Sequence, residues 1–322
     1  MNGQSILDLL LFTIGLVASF VVSGNNNATS LGVLFATNAA RRKSSYIINT
    51  VAMFLGASLG SVTMYGSIFS IVQGEKEYVE ASVFSVLFSS IFSFYYLNRV
   101  GVPSSLSQMI YPSLAILVLV SKGEILFNWF KFWFTVSSWI ISPIVAIVTS
   151  LLMYRFMKSR VKGEKNLSRQ MKVYRYMIMV SSAFTSFVVG ANAVGIIISA
   201  GLLSAPLVIV VFSYSIAASL GIFFSKKTAI TVGFRLTKLG YVGASSSIIG
   251  SNIVNQVFTV LGIPISITQT ILGGIIGLSL RAMTKDVVKQ IRQVAKGWVT
   301  SPFLSIIVSL ASYGIVKSVL GI

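Results

Sequence analysis

Long apolar runs follow one another along almost the whole chain, and short polar stretches cut two of them in the middle. The first run covers about 6–39 and is cut by Ser23-Gly24-Asn25-Asn26-Asn27-Ala28-Thr29-Ser30. A second run covers about 45–72. Two arms at about 81–97 and 104–120 flank a turn at 98–103, and a further run covers 129–153. The plan then recurs. A run at 176–203 is cut by Gly190-Ala191-Asn192-Ala193-Val194-Gly195. A run at 206–224 follows, then arms at 242–261 and 266–280 joined by Gly262-Ile263-Pro264, and a last run at 299–320. Runs of about 17 residues or more are long enough to cross a bilayer as helices.

Each half therefore reads as broken helix, span, hairpin, span. The breaks lie 166 residues apart (Gly24 and Gly190) and the hairpin prolines 161 apart (Pro103 and Pro264), so two separate landmarks return nearly one period. The halves are 1–154 and 176–322, joined by a basic loop at 155–175. The pattern predicts an all-α polytopic membrane protein with inverted-topology repeats, each with a discontinuous helix and a re-entrant helical hairpin. The uncharged turn at 262–264 favours a tip at membrane depth, where irregular backbone survives only against protein or a water-filled cavity.

Charge orients this plan. Of 25 basic residues, 20 fall in 41–43, 155–175, 226–238 and 281–296. Those stretches share one side if the N-terminus is outside, and cytoplasmic loops collect Lys and Arg. Both termini are thus expected outside, in a multi-pass protein of the cell membrane. Because each half crosses an odd number of times, the second enters from the opposite side. The net charge of +18 is then a loop property and implies no nucleic-acid partner. The N-terminus has no basic leader region, so no cleavable signal peptide is expected.

Composition narrows the chemistry. The 322 residues are 55% hydrophobic and 10% charged, with no cysteine and no histidine, and mean hydropathy is +0.86. A disulfide, a thiolate metal site and a histidine proton shuttle are excluded. The acidic residues Asp8, Glu75, Glu77, Glu80, Glu124, Glu164 and Asp286 fall at segment ends or in loops, so no carboxylate relay is read at the centre. An enzyme acting on a lipid headgroup is disfavoured for want of acid–base or nucleophilic groups. No resident cofactor is expected.

The two hairpins carry a matching motif, Pro103-Ser104-Ser105-Leu106-Ser107-Gln108 and Pro264-Ile265-Ser266-Ile267-Thr268-Gln269. Proline suits the first turn of a helix. Helix starts here and at the two breaks would aim four N-termini, with hydroxyls and amides, at one centre, an arrangement suited to a small oxyanion. The candidate substrate-binding residues are Asn26, Asn27, Thr29, Ser105, Ser107, Gln108, Asn192, Ser266, Thr268 and Gln269. Arg99 joins them only if the first hairpin is re-entrant. Asn255 and Gln256 read as packing residues within a hairpin arm. Single serines in membrane helices commonly bond back to their own helix, so the signal lies in the repetition.

Taken together these motifs resemble the inorganic phosphate transporter family, which includes sulfate permeases. Its signature Gly-Ala-Asn-Asp-Val-Ala-Asn resembles the stretches from Gly24 to Ser30 and from Gly190 to Ile196, and its Pro-Val-Ser-Thr-Thr-His hairpin resembles those at Pro103 and Pro264. Thr231-Val232-Gly233 and the glycines Gly273, Gly274 and Gly277 also fit. The resemblance implies secondary active transport of phosphate by alternating access at a midplane site, coupled to sodium ions or protons. It would place sodium near Asn26, Asn27 and Asn192. Where the family carries its sodium-coordinating aspartate, this chain has Asn27 and Ala193, and Gln108 and Gln269 replace its histidine. Sulfate is therefore an alternative substrate, and an uncoupled anion channel or exchanger an alternative mode. The expected partners are the anion and the lipid bilayer, and a homodimer is compatible with the reading.

Overall fold

The computed structural model describes residues 3–100, 104–121, 124–161, 166–225, 229, 240–279 and 285–321. Twelve helices carry the described fold: α1 (Gly3–Asn26), α2 (Ala28–Thr37), α3 (Arg42–Leu55), α4 (Lys76–Val100), α5 (Leu106–Val120), α6 (Trp129–Val161), α7 (Leu167–Val189), α8 (Gly195–Gly201), α9 (Leu207–Gly221), α10 (Gly240–Val260), α11 (Ile267–Ser279) and α12 (Lys285–Leu320). Among the described residues six stretches are long and apolar enough to cross a membrane. Large apolar side chains such as Phe130, Val208 and Val319 point outward, while the interior is rich in serine and asparagine. That inversion suits a bundle whose surroundings are hydrocarbon and whose backbone bonds are closed within helices.

The two breaks differ in form. α1 and α2 are separated by Asn27 alone, whose backbone stays helical (φ −82°, ψ −5°). Asn27 N donates to Ser23 O at 3.0 Å and Leu31 N to Asn27 O at 3.1 Å, so hydrogen bonding runs through the kink. The second break is a π-turn, Gly190–Val194, continuous with α7 and α8. The expectation of four free helix starts is corrected here: the true starts are those of the hairpins, because small residues let a helix widen without unwinding. A second π-turn, Gly56–Gly60, ends α3 inside the run expected as a continuous span at 45–72. Helices α6 and α7 also extend well into the stretch expected as a basic loop.

Glycines bring these turns together. A Cβ on Gly56 would lie 2.0 Å from Phe187 O, and one on Gly190 would lie 2.5 Å from Met53 O. The mirror contact joins α1 to α9: a Cβ on Gly24 would lie 2.6 Å from Gly221 O, and one on Gly221 2.0 Å from Phe20 O. Each pair links one half of the chain to the other at backbone contact.

The hairpins are exchanged between halves. Arms α4 and α5 lie against α12, whereas α10 and α11 lie against α6. Gly273 and Gly274 let α11 approach α6 closely, since a Cβ there would meet Pro143 O at 2.5 Å and Ser150 Oγ at 2.5 Å. The tip after α10 is a Schellman turn: Ile263 N donates to Phe258 O and Gly262 N to Thr259 O, both at 2.9 Å, with Gly262 at φ +69°. The turn at 101–103 lies outside the described residues, as do most of 226–239 and 280–284.

One end of the bundle is stitched by charge. A two-stranded antiparallel ribbon pairs Val72–Gly74 with Ile125–Phe127, and Lys317 Nζ sits 3.9 Å from Glu124 Oε1. Lys76 Nζ lies 3.2 Å from both Asp8 Oδ1 and Glu80 Oε1. Glu80 was expected in a loop, yet its side chain is fully buried in the first turns of α4. Its contact with Lys76 has ion-pair distance without hydrogen-bond geometry, and neither carboxylate oxygen has a hydrogen-bond partner among the described residues. Lys76→Met should therefore strand a buried charge, at a cost on the order of 3 kcal/mol, reduced because the ammonium is half exposed. In thermal unfolding, adding Glu80→Gln to Lys76→Met should recover most of the lost stability. A double variant no more stable than the single would refute the pairing.

Candidate functional site

The two hairpin tips meet. Helix α5 starts after Ser105, which is extended at φ −132°, ψ 130° and makes no side-chain cap to its own helix. Ser105 Oγ lies 3.2 Å from Ser107 Oγ, and Ser107 donates to Ile265 O of the other tip at 3.1 Å. Gln269 Nε2 donates to Gln108 Oε1 at 2.6 Å. Trp139 Nε1 donates to Pro264 O at 3.1 Å and Thr63 Oγ1 to Thr259 O at 2.7 Å, so the second tip is held from two further elements.

Serines at helix starts normally cap free N–H groups of the first turn. Here Ser105 and Ser266 stand at the two starts and neither does so. Ser266 Oγ, Ser104 Oγ and Gln269 Oε1 are buried without a partner among the described residues. Two uncapped helix starts, each with roughly half a positive charge and unspent N–H donors, thus face one region. That region lies where Ser107 of one tip reaches the backbone of the other.

The kink of α1 and α2 supplies a second group. Asn27 Oδ1 accepts from Ser186 Oγ at 2.7 Å, while Asn27 Nδ2 and Asn26 Oδ1 have no partner among the described residues. Asn49 of α3 is the hub beside them. Its Nδ2 donates to Ser45 O at 2.7 Å, and its Oδ1 accepts from Ser30, Ser182 and Ser186. Ser30 and Ser182 are themselves 2.6 Å apart. Asn49, Ser182 and Ser186 were missed by sequence reading. Their only signal is a pair of small polar residues on a helix (Asn49-Thr50, Ser181-Ser182, Thr185-Ser186), which does not distinguish a hub from ordinary packing.

At the π-turn, Asn192 Nδ2 donates to Thr259 Oγ1 at 3.1 Å and to Ile263 O at 3.2 Å, tying the second tip to the second break. Of the remaining candidates, Thr29 lies in α2, its side chain outside the described residues, and Thr268 is half-buried. Its neighbour Thr270 is fully buried and touches Ser142 Oγ at 3.2 Å. Arg99 stacks on Tyr95, 4.5 Å from its ring centre, on the exposed side of α4. Among the described residues no group of three or more His, Cys, Asp or Glu could hold a metal ion. The region is thus neutral, built of hydroxyls, amides and helix starts.

The sequence profile of the phosphate transporter family matches residues 22–281 and 190–321. A Methanocaldococcus jannaschii protein that bears the name of a phosphate permease is 25% identical over 291 residues, covering 90% of this chain and 91% of its own. The sulfate permease CysP of Bacillus subtilis is 24% identical over 316 residues, covering 94% and 86%. The solved structure of a sodium-dependent phosphate transporter matches with a TM-score of 0.85 at 18% identity, over 98% of this chain and all of that one.

Proposed function

The chain belongs to the phosphate transporter family, and from that membership we propose that it is a secondary active transporter of inorganic phosphate, coupled to a monovalent cation. The anion binds between the hairpin tips and the two breaks. Ser105, Ser107, Ser266 and the first-turn N–H groups of α5 and α11 donate to its oxygens, with Asn26 and Asn27 behind them. The observation that carries this reading is the pair of uncapped helix starts meeting through Ser107 and Ile265. Helix dipoles and N–H donors suit an oxyanion without any cationic side chain.

The mechanism follows from the exchanged architecture. The halves act as inverted repeats, a reading supported by the recurrence of glycine contacts, Gly24 with Gly221 and Gly56 with Gly190. The short second arms support re-entrant hairpins: α5 has 15 residues and α11 has 13, against 25 and 21 in their first arms α4 and α10. At 1.5 Å per residue neither second arm crosses a hydrocarbon core of about 30 Å. Alternating access then moves the kinked core helices against the hairpin bundles around the anion. Both termini lie outside. No bond is made or broken.

Sulfate is the second reading. It is favoured by the absence of a carboxylate at Asn27 and Ala193, which leaves the centre neutral. Initial rates of radiolabelled phosphate uptake into proteoliposomes, with sulfate as competitor, separate the two. Ser105→Ala and Ser266→Ala should each raise the half-saturating phosphate concentration about tenfold, as expected for loss of one charge-assisted hydrogen bond of about 1.5 kcal/mol. Unchanged affinity in both variants would remove the tips from the site.

A further inference from the structure

Both helix starts at the tips carry the sequence of a capping box, Ser105-Leu106-Ser107-Gln108 and Ser266-Ile267-Thr268-Gln269. In a closed box the serine hydroxyl accepts from the N–H three residues on, and the glutamine reaches back to accept from the N–H of the serine. Neither box is closed here. Ser105 makes no cap to α5, and Ser266 Oγ is buried without a partner among the described residues. The two glutamines, third residues of α5 and α11, turn to each other instead, with Gln269 Nε2 donating to Gln108 Oε1 at 2.6 Å. Gln269 Oε1 is left without a partner among the described residues, in a side chain only 4% exposed. Closing the box of α11 would satisfy Ser266 Oγ and Gln269 Oε1 together, yet both stay free. Native interiors rarely leave such neighbours unpaired without a ligand.

The pair has a property that holds whichever end of each amide is the nitrogen. One glutamine must give an N–H and the other an oxygen. If both amides are turned over, Gln108 donates and its own Oε1 becomes the free oxygen. Turning over one alone sets N–H against N–H, or oxygen against oxygen. The junction therefore always keeps one carbonyl oxygen that can only accept. It shares an amide with an atom of the bond between the tips, and Gln108 follows Ser107, which bonds Ile265 of the other tip. The two glutamines hold the same place in matching motifs, 161 residues apart. Their bond thus makes two equivalent tips unequal, one giving a donor and the other an acceptor.

We propose that the Gln108–Gln269 pair selects an oxyanion that carries a hydroxyl: its free carbonyl oxygen accepts the hydrogen of P–OH, so phosphate is preferred to sulfate. This rests on the placement of the anion between the tips. Near neutral pH phosphate and arsenate keep at least one hydroxyl, whereas sulfate and selenate keep none. The N–H groups of the two helix starts serve the oxygens of either kind of anion. A carbonyl oxygen serves only the hydroxyl, and against a bare oxygen it sets lone pairs to lone pairs in a buried site. A site built to hydrogen-bond a substrate hydroxyl rejects the analogue that lacks it. The selecting group is itself neutral. It therefore discriminates by the proton and not by the charge of the anion, and it accepts the singly and the doubly charged forms of phosphate alike.

Thermal unfolding of the purified protein at fixed pH and sodium concentration tests this, titrated separately with phosphate, arsenate, sulfate and selenate. Arsenate and selenate are close in size and shape and differ by the proton. In the parent protein the half-stabilising concentration of selenate should exceed that of arsenate by roughly tenfold or more, with sulfate ranking beside selenate and phosphate beside arsenate. Gln269→Met keeps the length of the side chain without its amide, and should bring selenate and arsenate to within about threefold of each other. General damage to the tip would weaken all four anions together, so the ratio isolates the proton. Gln269→Glu keeps acceptor oxygens and should hold the ratio, although its charge weakens every anion. A parent protein that does not separate arsenate from selenate, a folded Gln269→Met with the parent's ratio, or a Gln269→Glu that has lost it overturns the proposal. A folded parent protein stabilised by none of the four anions refutes the anion site at the tips instead.

Discussion

Gly56→Val should yield almost no folded protein, because the added side chain must enter the backbone of α7. Its Cβ alone would lie 2.0 Å from Phe187 O, 2.7 Å from Phe187 C and 2.8 Å from Phe187 Cα. None of these atoms belongs to a side chain that can turn aside. Overpacking in a closed interior costs about 1–3 kcal/mol even where neighbours yield. Here relief requires separating the two π-turns, so the loss should exceed that range. Gly314→Ala is the matched control: a Cβ there meets nothing within 4 Å. It sits inside α12, where replacing glycine should add up to about 1 kcal/mol of stability. Thermal unfolding and size-exclusion profiles in detergent should move in opposite directions for the two variants. A Gly56→Val protein that melts with the parent would show that α3 and α7 are not in backbone contact.

Asn192→Leu should abolish most transport while leaving protein that can still be purified. The substitution removes both donors that hold the second tip, to Thr259 Oγ1 and Ile263 O. Ile263 O loses its side-chain donor at the turn that aims α11, a penalty of about 1–3 kcal/mol. If half of this appears as misplacement of the tip, phosphate affinity falls about two- to twelvefold. Asn192→Asp should behave similarly, because the carboxylate keeps the shape but has no N–H to donate. The readout is phosphate-dependent stabilisation together with uptake. A normal phosphate shift in both variants would show that the π-turn does not position the tip.

Much of this arrangement was legible because it rests on rules that act locally. Proline at 103 and 264, followed by hydroxyl residues, marks helix starts wherever it occurs. The asparagines at 26, 27 and 192 stand out because amides are costly in apolar runs. What stayed hidden depends on lateral neighbours. The π-turn at Gly56–Gly60 leaves no mark in hydrophobic periodicity, since widening a helix changes its bonding and not its composition. Asn49 and Ser186 look like ordinary polar helix residues until α3 and α7 are side by side. Glu80 reads as a loop residue by its acidic neighbours, and only the approach of α1 shows it enclosed beside Lys76.

The exchange of hairpins between halves also governs how the protein must be made. Arms α4 and α5 emerge from the ribosome early, yet their resting place is α12, the last of the described helices. Until then Ser89 and Ser113 of the first hairpin lack their partner, Ser305. The amino-terminal half therefore cannot reach its final packing as an independent unit, although domains commonly complete folding in the order of synthesis. The first hairpin has to wait in the membrane, with its serine face turned to provisional neighbours, until α12 is made.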